Sequence, residues 1–170
     1  MVQIGNYHLG RAETAEQPKM DVGEIHILWD MLLTRYDIIM KTQIYQNFAH
    51  DPDLKAVLAK GLSSTLEGQA DILEKEMNTF RLPLPTRPPK SVNLLSHGEV
   101  IDDEFIFRDV FFGIQGFLEL HARVIRSITT NDQFRKTIIE MAIEELRLFD
   151  KLVKFGKLKG WLKAPPMYVQ

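Results

Sequence analysis

The chain has no cysteine among its 170 residues. That excludes disulfides, thiolate metal sites and a cysteine nucleophile, and it fits a reducing compartment. Excess charge of one sign is also missing: the formal net charge is −2. Nothing global therefore draws the chain to nucleic acid. No stretch of 18 uncharged apolar residues occurs, so no membrane span is expected. The first 22 residues carry scattered charges and no apolar segment, so no signal peptide is expected. Gly-rich phosphate loops and Gly-x-Ser-x-Gly elbows are absent.

What is present is periodic hydrophobicity. With 45% hydrophobic and 26% charged residues, the chain has the composition of one ordinary domain. After a polar lead-in, residues 1–21, Asp21 is an N-cap with Glu24 three positions on, a capping box. A first helix is expected over 22–49. Asp51 and Pro52 restart the chain, Pro52 at a first helical position, and a second helix is expected over 52–80. The tight link makes these two an antiparallel hairpin. Asp102, Asp103 and Glu104 open a third helix over 103–129, and Thr130 with Gln133 forms a second capping box before a fourth over 131–158. Gly160 is the expected stop. The bundle thus spans 22–160, and 161–170 forms an extended tail.

Between helices two and three stands Arg81-Leu82-Pro83-Leu84-Pro85-Thr86-Arg87-Pro88-Pro89. Four prolines in seven positions forbid helix and favour an extended path. About 20 extended residues reach roughly 60 Å at 3.1 Å per residue, enough to travel a helix of about 42 Å. Helices two and three are then parallel. Two antiparallel hairpins joined by one long crossover is the ferritin-like four-helix arrangement, an all-α fold. Leu82, Leu84, Leu94 and Leu95 give the crossover something to bury.

Such bundles hold two metals with Glu-x-x-His pairs, whose spacing aims both side chains at one point. The residues three before His8, His26, His50, His97 and His121 are Gly5, Gly23, Asn47, Leu94 and Leu118. No such pair exists, and no His-x-x-x-His either. His121 nevertheless interrupts an apolar face running Phe107, Val110, Ile114, Phe117, His121, Val124, Ile128. Gln69 and Glu145 interrupt the facing stripes of helices two and four, with Tyr36 and Gln43 at similar depth on helix one. The expectation is a polar core layer in which Glu145 pairs with His121. Its first reading is a hydrogen-bonded cluster that specifies register. Its second is a site for one transition metal ion on His121 and Glu145. Glu119, Glu140 and Glu144 read as solvated.

Gly61, Gly68, Gly113 and Gly116 interrupt two helices. The expected reason is close approach of neighbouring backbones, the alternative being room for a small molecule beside Gln69. Lys151, Lys154, Lys157, Lys159 and Lys163 make a basic C-terminal run, read as cations complementing a helix dipole, with an anionic surface as alternative. Trp161, Met167 and Tyr168 follow and are placed to tack the tail onto the bundle or a second subunit.

The segments Leu82-Pro83-Leu84-Pro85 and Lys159-Gly160-Trp161-Leu162-Lys163-Ala164-Pro165-Pro166-Met167-Tyr168 resemble a ferritin-like family of bacillus proteins of unknown function, named for similarity to spore coat protein F. The resemblance implies a sporulating host, a cytoplasmic or spore-coat location and coat proteins as partners. It brings no catalytic residues, and the family's histidine in mid-helix two is Gln69 here. The expected function is that of a structural, non-enzymatic homodimer without cofactor. The alternatives are a degenerate metal-binding or oxidase-like bundle and a small-molecule binder.

Overall fold

Asp21 starts the bundle as the sequence predicts. In a computed structural model, which describes residues 2–4, 7–9, 19–92 and 101–163, its carboxylate accepts from the Glu24 N–H at 2.8 Å. The Glu24 carboxylate accepts from the Asp21 N–H at 3.2 Å, completing the box. Helix α1 follows over Val22–Phe48. Asp51 accepts from the N–H groups of Asp53 and Leu54, both at 2.9 Å, and α2 runs Pro52–Lys60 with its proline in the first turn. A π-helical stretch, Gly61–Leu66, leads into α3, Glu67–Thr79. Within it the hydroxyls of Ser63 and Ser64 donate to the carbonyls of Ala59 and Lys60. Those carbonyls are the ones a regular α-turn would use, so the hydroxyls compete with the backbone where the turn widens.

Helix α4 is Asp103–Ser127, capped by Asp102, and α5 is Asp132–Lys159. The cap of α5 differs from expectation. Asn131 accepts from the Phe134 N–H at 2.8 Å, not Thr130. Thr130 is engaged elsewhere, its N–H donating to Glu24 at 2.7 Å. Helix α5 stops where predicted, at Gly160 with φ 71°, and the Trp161 N–H closes back on the Gly156 carbonyl at 3.0 Å. Ahead of the bundle, β1 (Val2–Ile4) and β2 (Tyr7–Leu9) pair antiparallel, Gln3 opposite His8, a hairpin the sequence reading did not anticipate.

The crossover takes the path its length allows. Arg87 pairs with Asp71 at 2.9 Å and Glu74 at 3.2 Å on α3. The chain then runs beside α1, where Gln43 donates to the Pro89 carbonyl at 3.0 Å and Asn47 to that of Val92 at 2.6 Å. Helix α4 starts back at the far end: Asp103 accepts from the N–H groups of His50 and Asp51 at 2.7 and 2.9 Å. Helices α3 and α4 are therefore parallel, and the fold is an all-α four-helix bundle of two hairpins and one long crossover. Leu94 and Leu95 lie outside the described residues, as do Met167 and Tyr168.

Two apolar clusters fill the bundle. One, around the start of α1 and the end of α3, is mainly aliphatic: Leu28, Met31, Leu32, Leu73, Met77, Ile138, with Phe134. The other, around the end of α1 and the start of α4, is rich in rings: Phe107 lies 5.8 Å from Phe111 and 5.9 Å from both Phe155 and Trp161, centre to centre. Trp161 thereby fastens the start of the tail to the bundle. Between the clusters lie a polar cluster and a cavity.

Candidate functional site

All five polar residues that the sequence places in the core are buried: Tyr36, Gln43, Gln69, His121 and Glu145. They do not form one layer. Tyr36 donates to Glu74 at 2.6 Å, on the α3 side. Burial first, then that carboxylate, pushes its hydroxyl pKa up. Gln43 holds the crossover. Gln69 donates to Glu144 at 2.9 Å, and the Thr65 hydroxyl faces the same carboxylate at 3.4 Å. Glu144 is thus half-buried and bonded rather than solvated.

His121 and Glu145 do meet, but the pairing differs from the one expected. The close partner of Glu145 is Arg35 on α1, a residue the sequence reading passed over. Its Nη2 stands 2.6 Å from Glu145 Oε1, and both side chains are almost wholly buried. The guanidinium also lies 4.1 Å above the centre of the Phe117 ring. His121 Nδ1 is 3.5 Å from Glu145 Oε2 and 2.9 Å from the Phe117 carbonyl. A carbonyl only accepts, so the proton sits on Nδ1 and Nε2 is bare. Arg35 was findable: it lies three residues after Leu32 and four before Ile39, on the buried stripe of α1.

Electrostatics follow from burial. The His121 pKa falls from 6.5 to about 4, first because burial penalises the cation, then because Arg35 repels it. The imidazole is neutral at ordinary pH. Burial pushes the Glu145 carboxyl up, opposed by the Arg35 guanidinium, and burial likewise lowers Arg35. Among the described residues, five buried polar atoms find no hydrogen-bond partner: Arg35 Nε, Gln43 Oε1, Gln69 Oε1, His121 Nε2 and Glu145 Oε2. Three of these belong to the one cluster, which is half-satisfied and therefore costly.

Arg35 and Glu145 of this cluster, but not His121, line a cavity of about 90 Å³. It is lined by Arg35, Thr42 and Tyr45 from α1, Leu58 from α2, Thr65 from the π-helical stretch, Gly113, Ile114 and Phe117 from α4, and Glu145 and Leu152 from α5. The glycines explain its shape. At Gly61 and Gly113, which line it, an added Cβ would meet no atom within 4 Å; the same holds at Gly68 and Gly116. Close backbone approach is therefore not their reason, contrary to expectation. The tight contact falls at Gly156, where a Cβ would overlap the Phe107 ring. Lys41 and Asp109, paired at 2.5 Å, flank the cavity nearest solvent. Tyr45 donates to Asp109 at 2.9 Å, and burial, then that carboxylate, raises its pKa to about 12.

A two-metal centre does not fit these residues. Among those described, no group of three His, Asp or Glu side chains is placed to hold an ion. The one central carboxylate beside His121 is already bound to a guanidinium. The basic run is also committed in part: Lys159 pairs with Asp51 and Asp53, both at 2.7 Å, Lys163 with Glu104 at 2.6 Å and Lys154 with Asp150 at 2.6 Å. No described helix is long and apolar enough to cross a membrane.

A solved structure shares this fold. It is that of a protein from Bacillus halodurans described as a "putative spore coat protein", with a TM-score of 0.79 at 21% identity, over 88% of this chain and 96% of that one. At that identity the likeness establishes the fold alone. No curated protein sequence matches the chain. A family model does, over residues 10–170, and the chain belongs to that family, the proteins of unknown function DUF3231.

Proposed function

We propose that the protein is a non-enzymatic structural and interaction protein, related to spore coat proteins, on a ferritin-like scaffold without the di-metal ligand set. The observation that carries this reading is Arg35. Its guanidinium occupies the bundle centre as a fixed organic cation, neutralising Glu145 where a metalloprotein would need that carboxylate for an ion. The likeness to the Bacillus halodurans protein supports a spore-coat role in a sporulating bacterium, with other coat proteins as partners.

The protein acts as a homodimer in this reading. Ile139, Ile143 and Leu146 recur on one exposed stripe of α5, and apolar side chains so spaced suit burial against a second copy.

Elemental analysis of protein purified without chelator tests the central claim. The expected result is no transition metal at stoichiometric level. One ion per chain, lost on His121→Ala, would overturn it in favour of a metal-binding or oxidase-like bundle.

A further inference from the structure

The outward face of α5 orders its charges as well as its apolar side chains. Successive residues of a helix turn by about 100°, so Lys136, Ile143 and Asp150, spaced by heptads, share one ridge. Ile139 and Leu146 flank that ridge on one side, Glu140 and Arg147 on the other. All of these side chains are exposed. Those of Lys136, Glu140 and Arg147 make no ion pair or hydrogen bond with any described residue. Asp150 pairs with Lys154 one turn on, at 2.6 Å, and a contact so open to solvent is worth little.

The order of signs suits one partner, a second copy of the same helix. Turned about a two-fold axis close to Ile143, that copy runs antiparallel to the first. Ile143 then faces its own counterpart, Ile139 faces Leu146, Glu140 faces Arg147 and Lys136 faces Asp150. The axis keeps each flank on its own side and makes every unlike pairing occur twice. Apolar meets apolar, and charge meets opposite charge. Parallel and in register, the same faces would set each of the four charges against its own kind. An anionic lipid surface fits less well, because Glu140 and Asp150 share the face with the basic side chains.

We propose that two copies of the chain dimerise through α5, antiparallel about Ile143, with Glu140–Arg147 and Lys136–Asp150 pairs between copies setting the register. This rests on the homodimer reading above and gives that dimer its orientation and its specificity. Ile139, Ile143 and Leu146 supply the attraction, and the charges select the antiparallel arrangement over the parallel one.

Sedimentation velocity of the full-length chain tests the proposal. The unaltered protein is expected to dimerise. Glu140→Arg and Arg147→Glu each set like charges opposite one another twice, and each is expected to weaken the dimer at least tenfold. Mixed in equal amounts, the two variants regain opposite charges at both contacts and are expected to form a dimer with one chain of each. Both positions are exposed, so the fold should persist, as circular dichroism checks. The absence of cysteine allows a second measurement, which decides alone should a charge variant fail to fold. Ile139→Cys and Leu146→Cys are expected to crosslink to one another when oxidised together, and neither to itself when oxidised alone. A dimer that both charge variants leave unchanged, a mixture that does not recover, or self-crosslinking of either cysteine variant would overturn the proposal and leave the homodimer reading standing. An unaltered chain that stays monomeric would overturn both, and its co-sedimentation with phosphatidylglycerol vesicles would assign the face to a lipid surface.

Discussion

The two ends of the bundle are closed by the same device but filled differently. At the aliphatic end, Glu24 of α1 accepts from the N–H groups of Thr130 and Asn131, in the link between α4 and α5. At the aromatic end, Asp103 of α4 accepts from those of His50 and Asp51, in the link between α1 and α2. Each hairpin thus begins with a carboxylate that ties down the turn of the other. Orphan backbone donors at both turns are satisfied, and charge-assisted bonds of this kind are among the stronger ones. The interiors diverge. Branched and unbranched aliphatic side chains interdigitate at one end. Rings stack at the other, and Tyr45, Leu58, Ile114 and Leu152 of that cluster line the cavity together with Arg35 and Glu145. Closure of the ends and density of the core are therefore independent properties of this bundle. The polar cluster marks the boundary between them.

The largest test acts on that boundary. Glu145→Ala leaves the Arg35 guanidinium buried without its partner, and unfolding by denaturant should show a loss of about 3–5 kcal/mol. Replacing both, Arg35→Met with Glu145→Leu, should restore most of it, because apolar residues of similar volume do without the desolvation cost. If the double variant were as weak as the single, the ion pair would be holding the two ends in register rather than merely neutralising itself.

Acid probes the same boundary with a smaller effect. His121 has a native pKa of about 4 against 6.5 when unfolded, so the unfolded chain takes up its proton first as pH falls. Stability from this residue is fully present above pH 6.5 and is lost progressively down to about pH 4. A shift of that size corresponds to about 3 kcal/mol. The groups facing the ring act in different directions. Arg35 repels the imidazolium, and Glu145, with its raised pKa, contributes the opposite sign, since its native form is the first to protonate. The difference between the unaltered protein and His121→Gln isolates the histidine. Chemical denaturation at pH 7 and pH 4.5 should show the variant losing clearly less than the parent. Equal losses would mean that His121 is not neutral in the fold.

Local signals in the sequence were readable because they act locally. Asp21 with Glu24, Asp51 with Pro52, and Gly160 each set a helix end through bonds within four residues, and the structure keeps all three. The crossover was readable because prolines fix an extended path whatever surrounds them. Partner choice was not. Glu144 and Glu145 are neighbours about 100° apart on α5, and which reaches Arg35 and which reaches Gln69 depends on helix rotation, a property of the whole bundle. Arg35 carried the periodicity of a core residue, yet arginine is so seldom fully buried that composition argued against it. Thr130 lost its expected cap role to a carboxylate more than one hundred residues away. Long-range competition of this kind leaves no trace in local spacing.

Glycine gives the smallest effect and the sharpest division within the aromatic end. Near the polar cluster, Gly113→Ala adds a Cβ that meets nothing within 4 Å, so helix propensity acts alone. Thermal or denaturant unfolding should show a gain of up to about 1 kcal/mol. At the tip, Gly156 lies under the Phe107 ring, which itself packs on Phe155 and Trp161. There the same propensity gain is outweighed. The ring must move, and overpacking of a filled core costs about 1–3 kcal/mol. Gly156→Ala should therefore destabilise although both glycines sit inside long helices. The opposite signs would show that one cluster of rings is tight at its outer edge and loose at its inner one. Destabilisation by both substitutions would mean that the space at Gly113 is occupied in solution, and the cavity would then have to be counted as part of the packed core.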